Sequence, residues 1–220
     1  MSIITCIEDL RVLAQKRVPR MFYDYADSGS WTESTYRANN SDFAKIKFRQ
    51  RVAVNLENRS LASTMVGQAV SMPVALSPTG LTGMQHADGE ILAAQAAEKF
   101  GVPFTLSTMS ICSIEDVAAN TTKPFWFQLY VMKDREFINR LIDRAKAAKC
   151  GALVLTLDLQ VLGQRHKDLR NGLSAPPKLT IANIINMATK PRWVAGMLGT
   201  KRRGFGNIVG HATSVSDMSS

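Results

Sequence analysis

Long apolar runs are missing from this 220-residue sequence. No stretch of about eighteen consecutive apolar residues occurs, so no membrane-spanning helix is predicted. Glu8 and Asp9 interrupt the first apolar stretch, which argues against a secretory signal. A hydrophobic content of 45% and a charged content of 20% are ordinary for a globular protein. We therefore expect one or two domains, each with a real core.

Cysteine is also scarce. The three cysteines, Cys6, Cys112 and Cys150, lie far apart and have neither metal-ligand nor redox-pair spacing. No metal site is predicted, and free thiols in a reducing cytoplasm are expected.

Negative charge is rare in the last quarter of the chain. From Gly163 to Ser220 there are nine lysines and arginines, opposed only by Asp168 and Asp217, so most of the formal charge of +9 lies here. Such a segment can bind nucleic acid, an anionic membrane surface or an anionic ligand, or it can be a solvated loop. The aromatic residues lie in apolar segments rather than among the basic ones, so no base-stacking surface is visible and nucleic acid is the least favoured partner.

The first 71 residues predict a helical segment and an extended arm. Thr5 and Glu8 form a capping-box pattern before an apolar stripe, which predicts the first helix. Pro19 ends that helix and can begin a second, which Gly29 is expected to end. The stretch FRQRVAVN (48–55) indicates a short strand or an extended arm.

From Met72 onward, strands and helices alternate at intervals of about 22–30 residues, as in βα units. The strands are apolar almost throughout, which favours a parallel sheet covered on its outer face. The predicted strands are MPVALSP (72–78), PFTLST (103–108), FWFQLYV (125–131) and ALVLTLD (152–158). The predicted helices between them are GEILAAQAAEKFG (89–101), SIEDVAANT (113–121) and DREFINRLIDRAKAAKCG (134–151), with Ser113 and Asp134 as N-caps and Gly101 and Gly151 as stops.

Two architectures fit this alternation: an open doubly wound sheet and a (β/α)₈ barrel. The dinucleotide-binding version of the first needs a GxGxxG motif after its first strand, and none is present. The nearest stretch, GFGNIVG (204–210), has the wrong spacing and follows a basic segment, so it is a weak candidate for a phosphate loop.

A complete barrel needs eight units and roughly 250 residues, but only four units fit between Met72 and Asp158. The fold expected is α/β, with about the first half of a (β/α)₈ barrel. We predict three segments: N-terminal helices and arm (1–71), four βα units (72–162) and a basic loop excursion without clear strand–helix pattern (163–220).

Polar residues end each predicted strand: Ser77-Pro78-Thr79, Ser107-Thr108, Gln128-x-Tyr130 and Thr156-x-Asp158. Because the carboxyl ends of parallel strands meet at one edge, these groups predict a shared pocket mouth. Each has a plainer interpretation. Gln128 and Tyr130 could line the barrel interior, Ser107 could start a turn, Thr156 suits any strand, and Asp158 could cap a helix.

These residues resemble the FMN-dependent α-hydroxy-acid dehydrogenases and oxidases, most of all the bacterial quinone- or cytochrome-linked L-lactate dehydrogenases. Six stretches carry the resemblance in family order: PRMFYDYADSG (19–29), MPVALSPTGLTGM (72–84), PFTLST (103–108), FQLYV (127–131), LTLD (155–158) and GQR (163–165). The resemblance implies an FMN-binding barrel that oxidises L-lactate, or a related L-2-hydroxy acid, to the 2-oxo acid (pyruvate for lactate). It implies a quinone or cytochrome as electron acceptor and a homo-oligomer in the full-length form.

The resemblance also assigns roles to residues. Ser77, Pro78, Thr79 and Gly80 would lie along the flavin, and Ser107, Gln128 and Thr156 would hydrogen-bond FMN. Tyr25 and Arg165 would bind the substrate carboxylate, which suits the phenol and guanidinium donors. Tyr130 would lie near the substrate oxygen as a catalytic and substrate-binding residue. Asp158 would pair with the catalytic histidine and stabilise its charged form.

The family's histidine, arginine and flavin-contacting lysine belong to later strands, in a motif such as S-N-H-G-x-R that these 220 residues do not contain. His86, His166 and His211 do not replace it. We therefore expect the chain alone to be inactive, or to be a non-catalytic fragment that acts only through binding.

The resemblance suggests a membrane partner for the basic segment. WVAGMLG beside KPR and KRR is compatible with peripheral membrane contact, and an ordinary solvated loop is the alternative. The expected location is the cytoplasm or the cytoplasmic face of the inner membrane.

Overall fold

The computed structural model describes residues 3–157, 161, 163–173 and 179–210. Its first part contains helices α1 (Ile7–Arg17), α2 (Arg20–Ala26) and α3 (Ser34–Ser41). The predicted capping box was wrong by one residue, because Asp9, not Glu8, accepts hydrogen bonds from the backbone N–H groups of Thr5 and Cys6 at 2.8 and 3.2 Å.

Helix α2 ends at Ala26, before the predicted stop at Gly29. The next residue, Asp27, leaves the helical conformation and accepts hydrogen bonds from Arg11 Nε (3.0 Å), Tyr23 Oη (2.6 Å) and Tyr36 Oη (2.5 Å). One carboxylate therefore joins the first three helices.

Residues 46–62 form no strand, so the extended arm is the alternative that the structure supports. A hairpin that the sequence did not predict follows, with strands β1 (Ser63–Met65) and β2 (Gln68–Val70). It packs at the amino-terminal end of the sheet, where Trp126 Nε1 donates to Gln68 Oε1 at 3.2 Å.

Three parallel strands form the central sheet in the order β3 (Thr105–Ser107), β4 (Trp126–Tyr130) and β5 (Ala152–Thr156). The first predicted strand (72–78) is reduced to a parallel bridge between Leu76 and Phe104, beside β3. Four successive parallel segments covered by helices are consistent with half of a (β/α)₈ barrel.

The helices of the βα units are α4 (Thr82–Gln85), α5 (Gly89–Phe100), α6 (Ile114–Asn120) and α7 (Arg135–Ala147). Three of the predicted ends are confirmed: Gly101 ends α5 at a φ of 84°, Ser113 caps α6, and Asp134 caps α7. The stop of α7 differs, because Lys149 rather than Gly151 takes the left-handed conformation.

The main core lies between the outer face of the sheet and these helices. Leu106, Phe127 and Leu129 pack there against Phe137 and Leu141 of α7. The three cysteines are free thiols, as predicted, and burial raises the pKa of the Cys150 thiol to about 11.

The prediction that the basic segment (163–220) is a loop excursion without a clear strand–helix pattern was wrong, because its described residues contain helices. The segment contains α8 (His166–Arg170), α9 (Ile181–Ala188) and α10 (Pro191–Gly199). These helices pack near α2, where the Phe22 and Trp193 rings stack with their centroids 5.8 Å apart. The division of the chain after residues 71 and 162 stays a prediction. Within the described residues, no helix has the length and apolar character needed to cross a membrane.

The ion pair between Glu115 of α6 and Arg144 of α7 predicts a specific acid dependence. Arg144 donates two hydrogen bonds of 2.7 Å to the carboxylate and lowers the Glu115 pKa from 4.5 to about 2, against the opposing effect of burial. Because the folded-state pKa lies below the unfolded one, the pair stabilises the fold above about pH 4.5, and that contribution disappears as the pH falls towards 2.

Arg144→Met is therefore expected to lower the urea midpoint at pH 6, and the difference from wild type should narrow towards pH 2. The part that comes from the bonds of Arg144 to Asn207 does not depend on this titration and should remain. Arg140→Met on the same helix is the matched control, because its ion pair with Glu136 is long (4.0 Å) and exposed. A difference that stays constant between pH 6 and pH 2 would contradict the prediction.

Candidate active site

Side chains from three neighbouring strands join at the carboxyl edge of the sheet. Gln128 Nε2 of β4 donates to Thr156 Oγ1 of β5 at 2.7 Å, and Ser107 Oγ of β3 donates to Gln128 Oε1 at 3.2 Å. Gln128 and Ser107 are 1% and 3% exposed. The register explains the meeting, since Ser107 lies opposite Gln128, and Tyr130 lies opposite Thr156. The shared edge predicted from the sequence is present for these residues.

Thr108 strengthens this edge, although no separate role was predicted for it from the sequence. Its backbone N–H donates to Gln128 Oε1 at 3.3 Å, and its hydroxyl donates to the Gln128 carbonyl oxygen at 2.6 Å. The residue is fully buried. Gln128 is therefore held at both its amide and its backbone, which fixes the direction of its side chain.

Tyr130 lies two residues beyond Gln128, so the alternation of the strand places both on one face. It is partly buried, and its backbone N–H donates to Thr108 Oγ1 at 3.4 Å. Asp158, predicted to follow Thr156 at the same edge, lies outside the described residues.

The loop after the first predicted strand joins the same edge. Ser77, Pro78 and Thr79 are exposed, and Gly80 is partly buried. A Cβ atom at Gly80 would come within 2.8 Å of Tyr25 Oη and 3.5 Å of Met109 Cβ, so only glycine leaves room for this approach.

Met109 connects this loop with Ser107. Its backbone N–H donates to Ser107 Oγ at 3.1 Å, and its carbonyl oxygen accepts from Leu81 N at 3.1 Å. These hydrogen bonds and contacts connect five residues into one continuous set, which we call the strand-end rim: Gly80, Met109, Ser107, Gln128 and Thr156.

Tyr25 and Arg165 meet beside the rim although 140 residues separate them. The Arg165 guanidinium lies over the Tyr25 ring at 5.0 Å, and its Nη2 donates to the Tyr25 carbonyl oxygen and to Ser28 Oγ. Burial raises the Tyr25 pKa, and the positive charge of Arg165 opposes this only in part. The phenol therefore stays protonated at neutral pH and can donate a hydrogen bond.

Asp168 orients Arg165 through an ion pair with its Nε, one helical turn away in α8. Asp168 is buried, and its Oδ1 has no hydrogen-bond partner among the described residues. From the sequence, Asp168 was predicted only to oppose the charge of the basic segment, although its three-residue spacing from Arg165 is typical of a helical ion pair.

Glu90 is the second residue that sequence reasoning missed. It lies in the first turn of α5, is 1% exposed, and its Oε1 accepts from the backbone N–H groups of Gly83 and Ile111, both at 2.9 Å. The carboxylate therefore connects α4, which contains Gly83, to the loop after β3, which contains Ile111. An acidic residue in the first turn of a helix is common, so the sequence carried no signal of this role.

A parallel βα sheet with a polar, partly buried rim at its carboxyl edge defines a barrel-type enzyme site. Comparison with known proteins makes the class specific, because the model of the FMN-dependent dehydrogenase family matches residues 14–219. The chain belongs to this family.

The similar proteins agree with this membership. The L-lactate dehydrogenase of Pseudomonas syringae pv. syringae (strain B728a) is 43% identical over 98% of this chain and 57% of its own length. That of Xanthomonas campestris pv. campestris (strain B100) is 45% identical over 94% of this chain and 53% of its own length. The chain thus spans just over half the length of these curated relatives.

Two solved structures share the fold. The crystal structure of the monotopic membrane protein (S)-mandelate dehydrogenase aligns with a TM-score of 0.88 and 34% identity, covering 99% of this chain and 57% of that chain. A soluble mutant of the membrane-associated (S)-mandelate dehydrogenase from Pseudomonas putida aligns with a TM-score of 0.73 and 36% identity, covering 91% of this chain and 57% of that chain.

The family implies FMN as the cofactor, and the rim fits such a group. Ser107, Gln128 and Thr156 present hydroxyl and amide groups along one edge, where a flat ring with alternating donors and acceptors can be hydrogen-bonded. Gly80 leaves the adjacent surface free of a side chain. These are the features that a planar heteroaromatic cofactor requires.

Proposed function

We propose that this chain supplies one half of an FMN-dependent site that oxidises L-lactate, or a related L-2-hydroxy acid, to the 2-oxo acid. The observation that carries the proposal is the continuous strand-end rim, which joins hydrogen-bonding groups from three strands to the loop at Gly80. The family membership and the L-lactate dehydrogenase relatives support the reaction.

In this proposal, two sets of residues hold FMN. Ser107, Gln128 and Thr156 hydrogen-bond the edge of the flavin ring through the donors and acceptors that their bonds with one another leave free, such as the second hydrogen of Gln128 Nε2 and the hydroxyl hydrogen of Thr156. The loop of Ser77, Pro78, Thr79 and Gly80 lies along the ring. Buried, mutually bonded side chains favour this role because they keep a fixed geometry and need little reorganisation on binding.

The substrate is proposed to bind next to the rim. Arg165 attracts the carboxylate, and its Nη1 has no hydrogen-bond partner among the described residues. The protonated Tyr25 hydroxyl donates a second hydrogen bond to the carboxylate. Tyr130, on the same strand face as Gln128, would contact the substrate hydroxyl oxygen.

Bound FMN accepts the two electrons that the hydroxy acid loses. The proton of that hydroxy acid needs a base with a pKa near neutrality. The family pattern gives this task to a histidine in an S-N-H-G-x-R motif, which the 220 residues do not contain. Asp158 would stabilise the charged form of that histidine. We therefore propose that the chain alone binds flavin and substrate without turnover, the alternative being a non-catalytic fragment that only binds partners.

Flavin binding by the purified chain tests the proposal. We expect FMN titration to quench flavin fluorescence with a stoichiometry of about one. We expect pyruvate to perturb the visible spectrum of the complex and Arg165→Met to remove that perturbation. L-lactate added without oxygen should leave the flavin oxidised. A folded chain that takes up no FMN would overturn the proposal, and bleaching by L-lactate would overturn the claim that turnover is absent.

We further propose that the segment after β5 makes peripheral contact with the cytoplasmic face of the inner membrane, where a quinone could accept electrons; a cytochrome is the alternative acceptor. Helix α9 supports this because its polar side chains face the rest of the protein and its apolar side chains face outward, the opposite of an ordinary surface helix. Asn183 and Asn186 face inward and bond the Asn171 carbonyl oxygen and the Arg20 N–H, at 2.9 and 2.8 Å. The isoleucines face outward, with exposures of 79% for Ile181, 56% for Ile184 and 60% for Ile185.

Ile184→Asp is the test of membrane contact. Transfer of a buried isoleucine side chain is worth about 1.5–3 kcal/mol, so the variant should bind anionic vesicles roughly 10- to 100-fold more weakly. Sedimentation with vesicles containing phosphatidylglycerol measures this. Phe48→Asp is the matched control, because Phe48 is also a large apolar residue and is even more exposed (95%), but it lies in the arm. Equal losses for both variants, or no loss for Ile184→Asp, would contradict the proposal.

The full-length form is proposed to be a homo-oligomer, as the resemblance implies. Size-exclusion chromatography with light scattering tests this, and a monomeric full-length protein would contradict it.

A further inference from the structure

The glycine-rich segment 204–210 packs closely against the loop after β3. The Gly206 N–H donates to the Ser110 carbonyl oxygen at 3.2 Å. A Cβ atom at Gly206 would come within 2.7 Å of Ile111 O and of Ser113 N, so the two backbones approach as closely as glycine allows. Ile208 anchors the segment in the main core. The pattern that was a weak candidate for a phosphate loop is thus a contact between two chain segments.

Asn207 lies at the centre of this contact and is fully buried. Its Nδ2 donates to the Ser107 carbonyl oxygen at 3.4 Å and to Ser110 Oγ at 3.0 Å. Its Oδ1 accepts from Ile114 N at 3.0 Å and from Arg144 Nη2 at 3.1 Å. One side chain therefore holds the end of β3, the loop that follows and the first turn of α6.

Both hydrogens of Asn207 Nδ2 are used in hydrogen bonds. The Ser110 hydroxyl has one hydrogen, which it donates to the Cys112 carbonyl oxygen at 2.7 Å. Ser110 Oγ can therefore only accept from Asn207. The Ser107 carbonyl oxygen accepts the other Nδ2 hydrogen at 3.4 Å and also accepts from the Ser110 backbone N–H at 3.2 Å.

The loop that Asn207 holds carries part of the strand-end rim. Ser107 Oγ and the Thr108 N–H both reach Gln128 Oε1, and the Met109 N–H reaches Ser107 Oγ. We propose that Asn207 is a positioning residue for FMN binding: it fixes the Ser107 carbonyl, and with it the direction in which Ser107 and Thr108 meet Gln128. This inference rests on the proposed flavin-binding role of the rim.

Asn207→Asp separates positioning from bulk packing. It keeps the size of the side chain and the acceptor for Ile114 and Arg144, but it turns an oxygen towards the two acceptors on Ser107 and Ser110. We expect FMN to bind about 10-fold more weakly, as for the loss of one buried hydrogen bond, with a changed visible band of the bound flavin. Amide exchange at Thr108 and Met109 should accelerate by a similar factor. Ser110→Ala removes one acceptor of Asn207 Nδ2 together with the hydroxyl's own bond to the Cys112 carbonyl oxygen. It should shift both measurements in the same direction by about 3-fold.

Two controls show whether the effect is merely structural. Arg144→Met removes a support of Asn207 Oδ1 and leaves both Nδ2 contacts, so it should lower stability while FMN affinity and spectrum stay within about 2-fold of wild type. Arg203→Ala, directly before the segment, breaks bonds to the carbonyl oxygens of Thr200 and Leu198, and among the described residues no other hydrogen bond of this side chain is lost. It should change neither measurement.

The outcomes distinguish this inference from the proposed function. If wild type binds FMN and both Asn207→Asp and Ser110→Ala bind it equally well with an unchanged spectrum, the inference is wrong and the proposed function stands. If folded wild type binds no FMN, the proposed function fails and the flavin role of Asn207 fails with it. Amide exchange separately tests whether Asn207 holds the loop after β3. Unchanged protection of the Thr108 amide in Asn207→Asp would show that it does not.

Discussion

Gln128→Leu is expected to abolish FMN retention and to weaken the fold at the same time. The substitution keeps the volume approximately but leaves Ser107 Oγ and Thr156 Oγ1 without the amide that joins them. The Thr108 N–H loses its bond to the amide oxygen and keeps its bond to the carbonyl oxygen of residue 128. Unpaired buried groups of this kind cost about 1–3 kcal/mol each, so we expect a loss of about 2–4 kcal/mol in the free energy of unfolding. FMN affinity should fall by about 100-fold or more, since the proposed ring contacts lose both donor and acceptor.

Equilibrium dialysis for FMN and urea unfolding measure the two effects. Gln68→Leu is the matched control, because Gln68 bonds Trp126 at the opposite end of the same strand. It removes an amide of the same size away from the rim, so FMN affinity should stay at the wild-type value. A Gln128→Leu protein that is destabilised but binds FMN normally would separate the rim from the cofactor and would contradict the proposed role.

Glu90 should give the largest stability effect of any single truncation considered. Glu90→Ala leaves the backbone N–H groups of Gly83 and Ile111 buried without an acceptor and opens a cavity. Together these changes are expected to cost about 3–5 kcal/mol of unfolding free energy. Urea denaturation followed by tryptophan fluorescence measures the loss.

Glu90→Gln provides the contrast. It keeps Oε1 as the acceptor for both N–H groups and replaces Oε2, which has no hydrogen-bond partner among the described residues. The amide hydrogens that take the place of Oε2 have no acceptor there, so we expect a loss of about 1–2 kcal/mol, smaller than for alanine. Equal destabilisation by alanine and glutamine would mean that the charge, rather than the acceptor, holds α4 and the loop after β3 together.

Local signals account for the parts of the fold that the sequence predicted. Gly101, Ser113 and Asp134 mark helix ends through interactions with their immediate neighbours, and their positions were right. The meeting of Ser107, Gln128 and Thr156 followed from a geometric rule, because parallel strands share one carboxyl edge. Periodicity and strand polarity were enough for both.

Other features depend on contacts distant in sequence and could not be predicted in this way. Helix α9 places isoleucines outward and asparagines inward, so the rule that the apolar face of a helix is buried predicts the wrong orientation. The buried roles of Glu90 and Asn207 arise from segments 21 and 100 residues away. The roles given to Tyr25 and Arg165 came only from the family resemblance, and the structure adds their proximity.

The flank of β5 has a practical consequence for handling the chain. Among the described residues no strand pairs with β5 on the side away from β4. Leu153 and Leu155, both residues of β5, are 47% and 52% exposed. Edge-on contact between two molecules would extend the ladder and shield these leucines together. Self-association should therefore rise steeply with protein concentration, so dilute samples with a mild detergent are the right starting point for every titration described above.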